Sequence, residues 1–172
     1  MAIVSQENIL SILTTFNPWW QNGVVPKAFV KEFHRSSYYT CRKSLLSDLR
    51  RIVVMSGARR TGKTTIMYQL IHDLLEQGVK PQNILFFTFD HPVIRMAGMD
   101  QILNIYKNNI SDDEHFYMFV DEVQFNKDWT NYLKMAYDMN PDMRSVTTGS
   151  ASAAIEDDVR ESGAGRWTVI KV

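Results

Sequence analysis

The chain alternates short apolar runs with longer stretches in which apolar residues recur every three or four positions. Short runs rich in β-branched and aromatic residues are typical of buried parallel strands, whereas the longer spacing is typical of amphipathic helices. Strands are predicted to start near residues 51, 84, 116, 143 and 167. Because strands that alternate with helices form parallel sheets covered on both faces, the pattern predicts an α/β fold with a five-stranded parallel sheet.

The first 49 residues show helical spacing and no strand pattern. Helices are predicted over residues 8–16 and 38–49, and a further helix over residues 128–138 in the second half of the chain. We expect residues 1–49 to form a helical segment packed on a core of residues 50–172. Trp19 and Trp20 lie in this segment. They either offer a surface to a partner or, as is commoner for large aromatic side chains, pin the segment to the core.

Residues 57–64 read Gly-Ala-Arg-Arg-Thr-Gly-Lys-Thr, which matches the phosphate-binding pattern G-x-x-x-x-G-K-[ST]. Lys63 is expected to reach the β- and γ-phosphates, and the Thr64 hydroxyl to ligate Mg²⁺. A strand pattern precedes the loop and a helix pattern follows it. This context favours an anion site at a helix N-terminus over a chance match in an ordinary loop. Nucleotide contacts are expected from Gly57, Ala58, Arg59, Arg60, Thr61, Gly62, Lys63, Thr64 and Thr65.

A later apolar run ends in two adjacent carboxylates, Asp121 and Glu122. A strand here would deliver both to its carboxyl end, where open α/β sheets bind their ligands. Asp121 is expected to hold Mg²⁺ through water, because this ion keeps several waters and binds few carboxylates. Glu122 is expected to orient and deprotonate an attacking water. A solvated acidic turn would give the same local pattern, but its place downstream of a phosphate loop favours a shared site.

The strand pattern near residue 143 leads into Thr148-Gly149-Ser150. We expect this strand to lie between the loop strand and the carboxylate strand. Thr148, or failing it Ser150, would then contact the γ-phosphate or the attacking water. The equally weighted alternative is a hydroxyl-rich turn whose side chains bond their own backbone.

The formal net charge is zero, with 19 basic and 19 acidic residues, so no global bias indicates nucleic acid or an anionic membrane. Basic residues are locally dense between Arg42 and Lys63. A polyphosphate ligand is the simplest explanation, and a DNA-facing patch is the less favoured one. With one cysteine, Cys41, the chain forms no internal disulfide, which suits a reducing, cytoplasmic setting. No signal peptide or long apolar span is recognised, so no membrane association is expected.

Taken together, these motifs resemble the prokaryotic AAA-type P-loop ATPases known as ATP-binding proteins. The likeness covers nearly the whole chain, and the Arg-Arg-x-Gly-Lys-Thr-Thr and Asp-Glu-x-Gln versions are more specific than the generic motifs. It is carried by residues 17–20, 56–65, 120–124 with Trp129, 148–150 and 165–166.

The resemblance implies a three-layer P-loop NTPase fold with strand order 5-1-4-3-2, ATP as substrate and ADP as product. It implies nucleotide contacts from Gly62, Lys63 and Thr64, and metal and water roles for Asp121 and Glu122. Arg166 matches the family's Gly-Arg position, where it would stabilise charge near the γ-phosphate, from its own chain or a neighbouring one. The alternative for Arg166 is a surface arginine that opens a strand. Family members usually continue beyond this strand, so a core truncated at its C-terminus is expected.

The first functional hypothesis is Mg²⁺-dependent hydrolysis of the β–γ anhydride of ATP, coupled to a conformational change. The second is a nucleotide-gated module that engages an unidentified protein, or DNA, with little turnover. A GTPase fits worse because no Asn-Lys-x-Asp motif follows a later strand. A small-molecule kinase fits worse because Glu122 beside Asp121 suits water attack.

Overall fold

The structure, a computed structural model, describes residues 4–150, 152–162 and 165–172. Its strands are β1 (Ile52–Ser56), β2 (Ile84–Thr88), β3 (Tyr117–Asp121), β4 (Arg144–Gly149) and β5 (Trp167–Lys171). They form one sheet in the order β2-β3-β4-β1-β5, and every neighbouring pair is parallel. The predicted α/β fold and the predicted order, which is the same sheet counted from the other edge, are confirmed.

Seven α-helices surround the sheet among the described residues: α1 (Gln6–Phe16), α2 (Trp19–Asn22), α3 (Ser36–Leu45), α4 (Lys63–Glu76), α5 (Pro92–Asn109), α6 (Trp129–Met139) and α7 (Ser152–Glu161). Helix α3 contacts α4, whereas α5 and α6 border a common groove. Because crossovers between parallel strands are right-handed, α3 and α4 lie on one face of the sheet and α5 and α6 lie on the other. None of the helices in the described ranges is both long and apolar enough to cross a membrane.

The sequence missed three helices, α2, α5 and α7, and misplaced the end of α3. Helix α2 has only four residues, too few to show a helical period. Helix α5 contains Gly98 at φ 74°, a kink that breaks the helical spacing of its apolar residues. Helix α7 buries only Ile155 and Val159 among its described side chains, so its pattern is weak. Helix α3 was expected to reach residue 49 but ends at Leu45, where Nη1 of Arg144 binds the carbonyls of Leu45 and Ser47 at 2.7 and 2.6 Å.

Strands β1, β4 and β3 bring the predicted site residues together at their carboxyl ends. All five residues of β1 and all five of β3 are buried, which explains their continuous apolar runs. The register pairs Ser56 of β1 with Gly149 of β4, and Val120 of β3 with Thr147 of β4. Because β4 lies between β1 and β3, the carboxyl ends of the three strands meet side by side.

The Asn-Pro-Trp-Trp segment at residues 17–20 covers the exposed edge of β2. The Asn17 side chain pairs with Phe86 as a strand would, donating to its carbonyl at 2.8 Å and accepting from its N–H at 2.7 Å. The indoles of Trp19 and Trp20 both donate to the Ile84 carbonyl, at 3.1 and 2.8 Å. Both rings are buried. The segment therefore satisfies edge groups that would otherwise invite pairing with another chain.

Candidate functional site

The phosphate-binding loop lies where the sequence placed it, between β1 and α4. Its two glycines are required for different reasons. Gly62 has φ 94°, a left-handed conformation that side chains disfavour. A Cβ on Gly57 would lie 2.3 Å from the carbonyl oxygen of Val172, so only glycine fits there. The loop thus turns tightly and presents its backbone at the start of α4.

The Lys63 side chain folds back over the loop. Its Nζ donates to the carbonyls of Gly57 and Ala58 at 2.9 and 2.6 Å, and the residue is only 4% exposed. Burial lowers the pKa of this amine, and the nearby carboxylates of Glu122 and Asp121 oppose that effect. The ammonium group is therefore held inside the loop, with the acidic pair close enough to act on it electrostatically.

Asp121 joins the loop to the carboxylate strand. Its Oδ2 accepts a hydrogen bond of 3.0 Å from the Thr64 hydroxyl, and its Oδ1 accepts one from the Thr148 hydroxyl. Burial raises the pKa of this carboxyl, whereas the bonds from Thr148 and Thr64 favour the charged form. The Asp121 carboxylate and the hydroxyls of Thr64 and Thr148 thus form a cluster of oxygen atoms at the start of α4. A hard cation such as Mg²⁺ prefers such ligands, so Thr64 and Asp121 fit the group that the family implies.

Glu122 occupies a left-handed backbone conformation, φ 55° and ψ 50°, which is uncommon for a residue with a side chain. Its N–H donates to the Thr148 hydroxyl at 3.0 Å. Both of its carboxylate oxygens accept from the Ser150 hydroxyl at 2.8 Å, and Oε2 also accepts from the Gln124 amide. The carboxylate is thus held by one side chain that follows β3, Gln124, and one that follows β4, Ser150.

Thr148 lies on β4, between the loop strand and the carboxylate strand, as expected. Its hydroxyl donates to Asp121 and accepts from the Glu122 backbone, so it bridges the two acidic residues. The expectation was a contact with the γ-phosphate or the attacking water. Here the hydroxyl donates to the Asp121 carboxylate and accepts from the Glu122 backbone, so Thr148 positions both acidic residues.

Arg166 lies where the parallel strands begin, at the end of the sheet opposite the phosphate loop. Its expected place beside the γ-phosphate of its own chain is therefore wrong. Its carbonyl accepts from the N–H of Ile52, at the start of β1, whereas the loop leaves the end of that strand. Its guanidinium pairs with Asp138 at 3.1 Å. The physical reason is the parallel register of β1 and β5, which holds the residue before β5 a full strand length from the loop.

Two features of the site were not assigned from the sequence. One is Gln124, which belongs to the Asp-Glu-x-Gln pattern of the family resemblance but was given no role in the site. The other is a cavity of about 290 Å³ beside the loop, bordered by Phe33, Arg35, Gly62 and Thr65. Phe33 is 78% exposed although its backbone is anchored, because the amide of Gln69 donates to its carbonyl at 2.9 Å. No pattern in the first 49 residues marked this segment as part of the site.

Two uncharacterised prokaryotic proteins are similar in sequence to this chain. An uncharacterised protein of Haemophilus influenzae is 32% identical over 127 residues, which are 70% of this chain and 30% of that protein. The uncharacterised protein MJ1637 of Methanocaldococcus jannaschii is 24% identical over 119 residues, 67% of this chain and 24% of the relative. The chain therefore spans under a third of the length of either relative.

Among solved structures, Saccharomyces cerevisiae RIF2 shares the fold with a TM-score of 0.51 and 11% identity, over 95% of this chain and 63% of that one. Residues 49–172 match the sequence profile of a family described as AAA domain. That match contains the phosphate loop, the acidic pair and the Thr-Gly-Ser turn. The chain belongs to this family of AAA domains.

Proposed function

We propose that the protein binds ATP together with Mg²⁺ and hydrolyses the β–γ anhydride to ADP and phosphate. Membership of the AAA domain family supports a nucleotide-binding function of the P-loop type. The hydrogen bond of 3.0 Å between Thr64 and Asp121 carries the finer proposal. It joins the phosphate loop to the acidic strand, so one ligand can contact both.

In this proposal the backbone N–H groups of residues 57–65 surround the phosphates, and Lys63 turns from the loop carbonyls to the β- and γ-phosphate oxygens. Thr64 and Asp121 would hold Mg²⁺, which neutralises charge on those oxygens when bound. The hydroxyls of Thr64 and Thr148 favour the charged form of Asp121 against the effect of burial, which raises its pKa, and a cation would stabilise that form further.

Glu122 would accept a proton from the water that attacks the γ-phosphorus. The new P–O bond forms as the bond to the β–γ bridging oxygen breaks, and that oxygen leaves as part of ADP. Glu122 later returns the proton to solvent. Thr148 supports this step because its hydroxyl accepts from the Glu122 N–H and so holds the Glu122 backbone against the end of β4.

The base would enter the cavity beside the loop and stack on Phe33. This placement is supported by the cavity's position at the start of α4 and by the exposure of an anchored aromatic ring. Stacking on an aromatic face tolerates any base, so the preference for adenine rests on the family resemblance.

A nucleotide-gated switch for an unidentified protein partner is the second candidate. One observation favours it: Ser150 and Gln124 already occupy both Glu122 oxygens. These bonds take up part of the carboxylate's capacity to accept hydrogen bonds, so fewer lone pairs remain for an attacking water. The switch would use the same nucleotide site with little turnover.

Steady-state phosphate release by the wild type and Glu122→Gln separates the two candidates. The hydrolase predicts many phosphates per chain from the wild type and a rate lower by roughly 10²- to 10⁴-fold in the variant, the usual contribution of a general base. Tight binding with at most one turnover, unaltered by the substitution, would favour the switch and contradict the hydrolase.

A further inference from the structure

Gln124 makes contacts on both sides of its amide group. Its Nε2 donates to Oε2 of Glu122, and its Oε1 accepts from the backbone N–H of Ser150 at 3.2 Å. Gln124 follows β3 and Ser150 follows β4, so the side chain spans the gap between two strand ends. One side chain therefore ties the proposed general base to the neighbouring strand.

The orientation of this amide is determined by its partners. A backbone N–H can only donate, so the group facing Ser150 must be the oxygen. A carboxylate only accepts, so the group facing Glu122 must be the NH₂. Both contacts agree on one orientation, and rotating the amide by 180° would break both of them.

Apart from Gln124, the side chain that contacts the Glu122 carboxylate among the described residues is Ser150. The Ser150 hydroxyl lies 2.8 Å from both Glu122 oxygens and so does not distinguish between them. Gln124 contacts Oε2 alone, which makes Oε1 the oxygen with more accepting capacity left. The left-handed backbone of Glu122 sets the direction of the side chain, and such strained conformations persist where the surroundings hold them in place.

We infer that Gln124 is a positioning residue for water activation: its amide occupies Oε2 of Glu122 and leaves Oε1 to take the proton. This inference rests on the proposed hydrolase function. Gln124 acts through Glu122, so its loss lowers kcat and leaves the affinity for ATP unchanged. Displacement of a reacting group by about 1 Å can cost 10²-fold in rate, so a decrease of ~10- to 100-fold is expected.

The test compares two substitutions of Gln124 in the full chain. Gln124→Met has a similar size but neither contact. Gln124→Glu keeps an oxygen for the Ser150 N–H and replaces the donor to Glu122 with a second carboxylate oxygen. If Gln124 positions Glu122, both variants lose turnover with an unchanged KM. If Gln124 only braces the Ser150 turn, Gln124→Glu turns over like the wild type, and the inference is wrong.

A double-mutant cycle supplies a second readout. Gln124→Met is combined with Glu122→Gln, and phosphate release is followed under single-turnover conditions. A positioning residue has no further effect once Glu122 is gone, whereas equal effects in both backgrounds would overturn the inference. A wild type that does not turn over would instead refute the proposed function. A wild type that turns over with Gln124→Met unaffected refutes only the role of Gln124.

Discussion

Thr64 and Asp121 are 57 positions apart in the chain and meet in a hydrogen bond of 3.0 Å. This contact depends on the sheet order, because β4 lies between β1 and β3 and keeps their carboxyl ends apart. The Thr64 hydroxyl, at the start of α4, reaches across that distance to Asp121. The two halves of the candidate site are thus held together before any ligand arrives.

Thr64→Ala should weaken Mg²⁺-dependent ATP binding, whereas Thr64→Ser should preserve it. Alanine removes the proposed metal ligand and the hydrogen-bond donor to Asp121, while serine keeps the hydroxyl. The loss should be at least the roughly 10-fold typical for partners of metal ligands. ATP titrations at increasing magnesium concentration measure it, and equal magnesium dependence in both variants would contradict this assignment.

Phe33→Ala should weaken binding of ATP and leave binding of inorganic tripolyphosphate unchanged. Stacking of a base on an aromatic ring is worth about 1–3 kcal/mol, which the alanine variant would lose. Tyr39→Ala is a matched control, because this ring is also exposed, at 60%, but does not border the cavity beside the loop. Equal losses of affinity for ATP and tripolyphosphate would contradict stacking of the base on Phe33.

Arg166→Ala should leave turnover per chain unchanged at low protein concentration. Its ion pair with Asp138 is partly exposed at both ends, so its loss should cost at most about 1 kcal/mol of folding stability. Phosphate release over a dilution series measures the effect. A slower variant at every dilution would show that Arg166 acts on its own chain's site, against the geometry found here.

Asn17→Ala should destabilise the protein, because the Asn17 side chain is fully buried and pairs with the edge of β2. The substitution leaves the N–H and carbonyl of Phe86 without their partner, and an unsatisfied buried group costs about 1–3 kcal/mol. Urea unfolding of this variant is compared with that of Asn8→Ala, an exposed asparagine in α1. Similar stability of the two variants would rule out a strand-like role for Asn17.

The parts of the site predicted from the sequence are those encoded in short segments. The loop, the acidic pair and the sheet order follow from local apolar runs and from the need to bring Asp121 near Lys63. Contacts over long sequence distances were not visible. The bonds of Asn17 to Phe86 and of Gln124 to Ser150 depend on how separate segments pack, which no local pattern reports.

Arg166 illustrates the opposite case, in which a motif suggested the wrong location. Its position directly before β5 was recognised correctly. The parallel direction of β5 was also predicted correctly, but its consequence was not drawn: a parallel strand beside β1 starts at the end of the sheet remote from the loop. The residue that precedes β5 therefore cannot approach the phosphates of its own chain. Helix α5 was missed for a related reason, because the kink at Gly98 divides its apolar pattern.

Calorimetric titration of ATP with magnesium into the wild type, Lys63→Ala and Lys127→Ala tests the central claim most directly. We predict saturable binding of one nucleotide per chain to the wild type and to Lys127→Ala, which replaces an exposed lysine outside the loop. Lys63→Ala should bind about 10- to 100-fold more weakly, the value of a hydrogen bond to a charged group. No heat with the wild type, or equal affinity for all three proteins, would contradict the account.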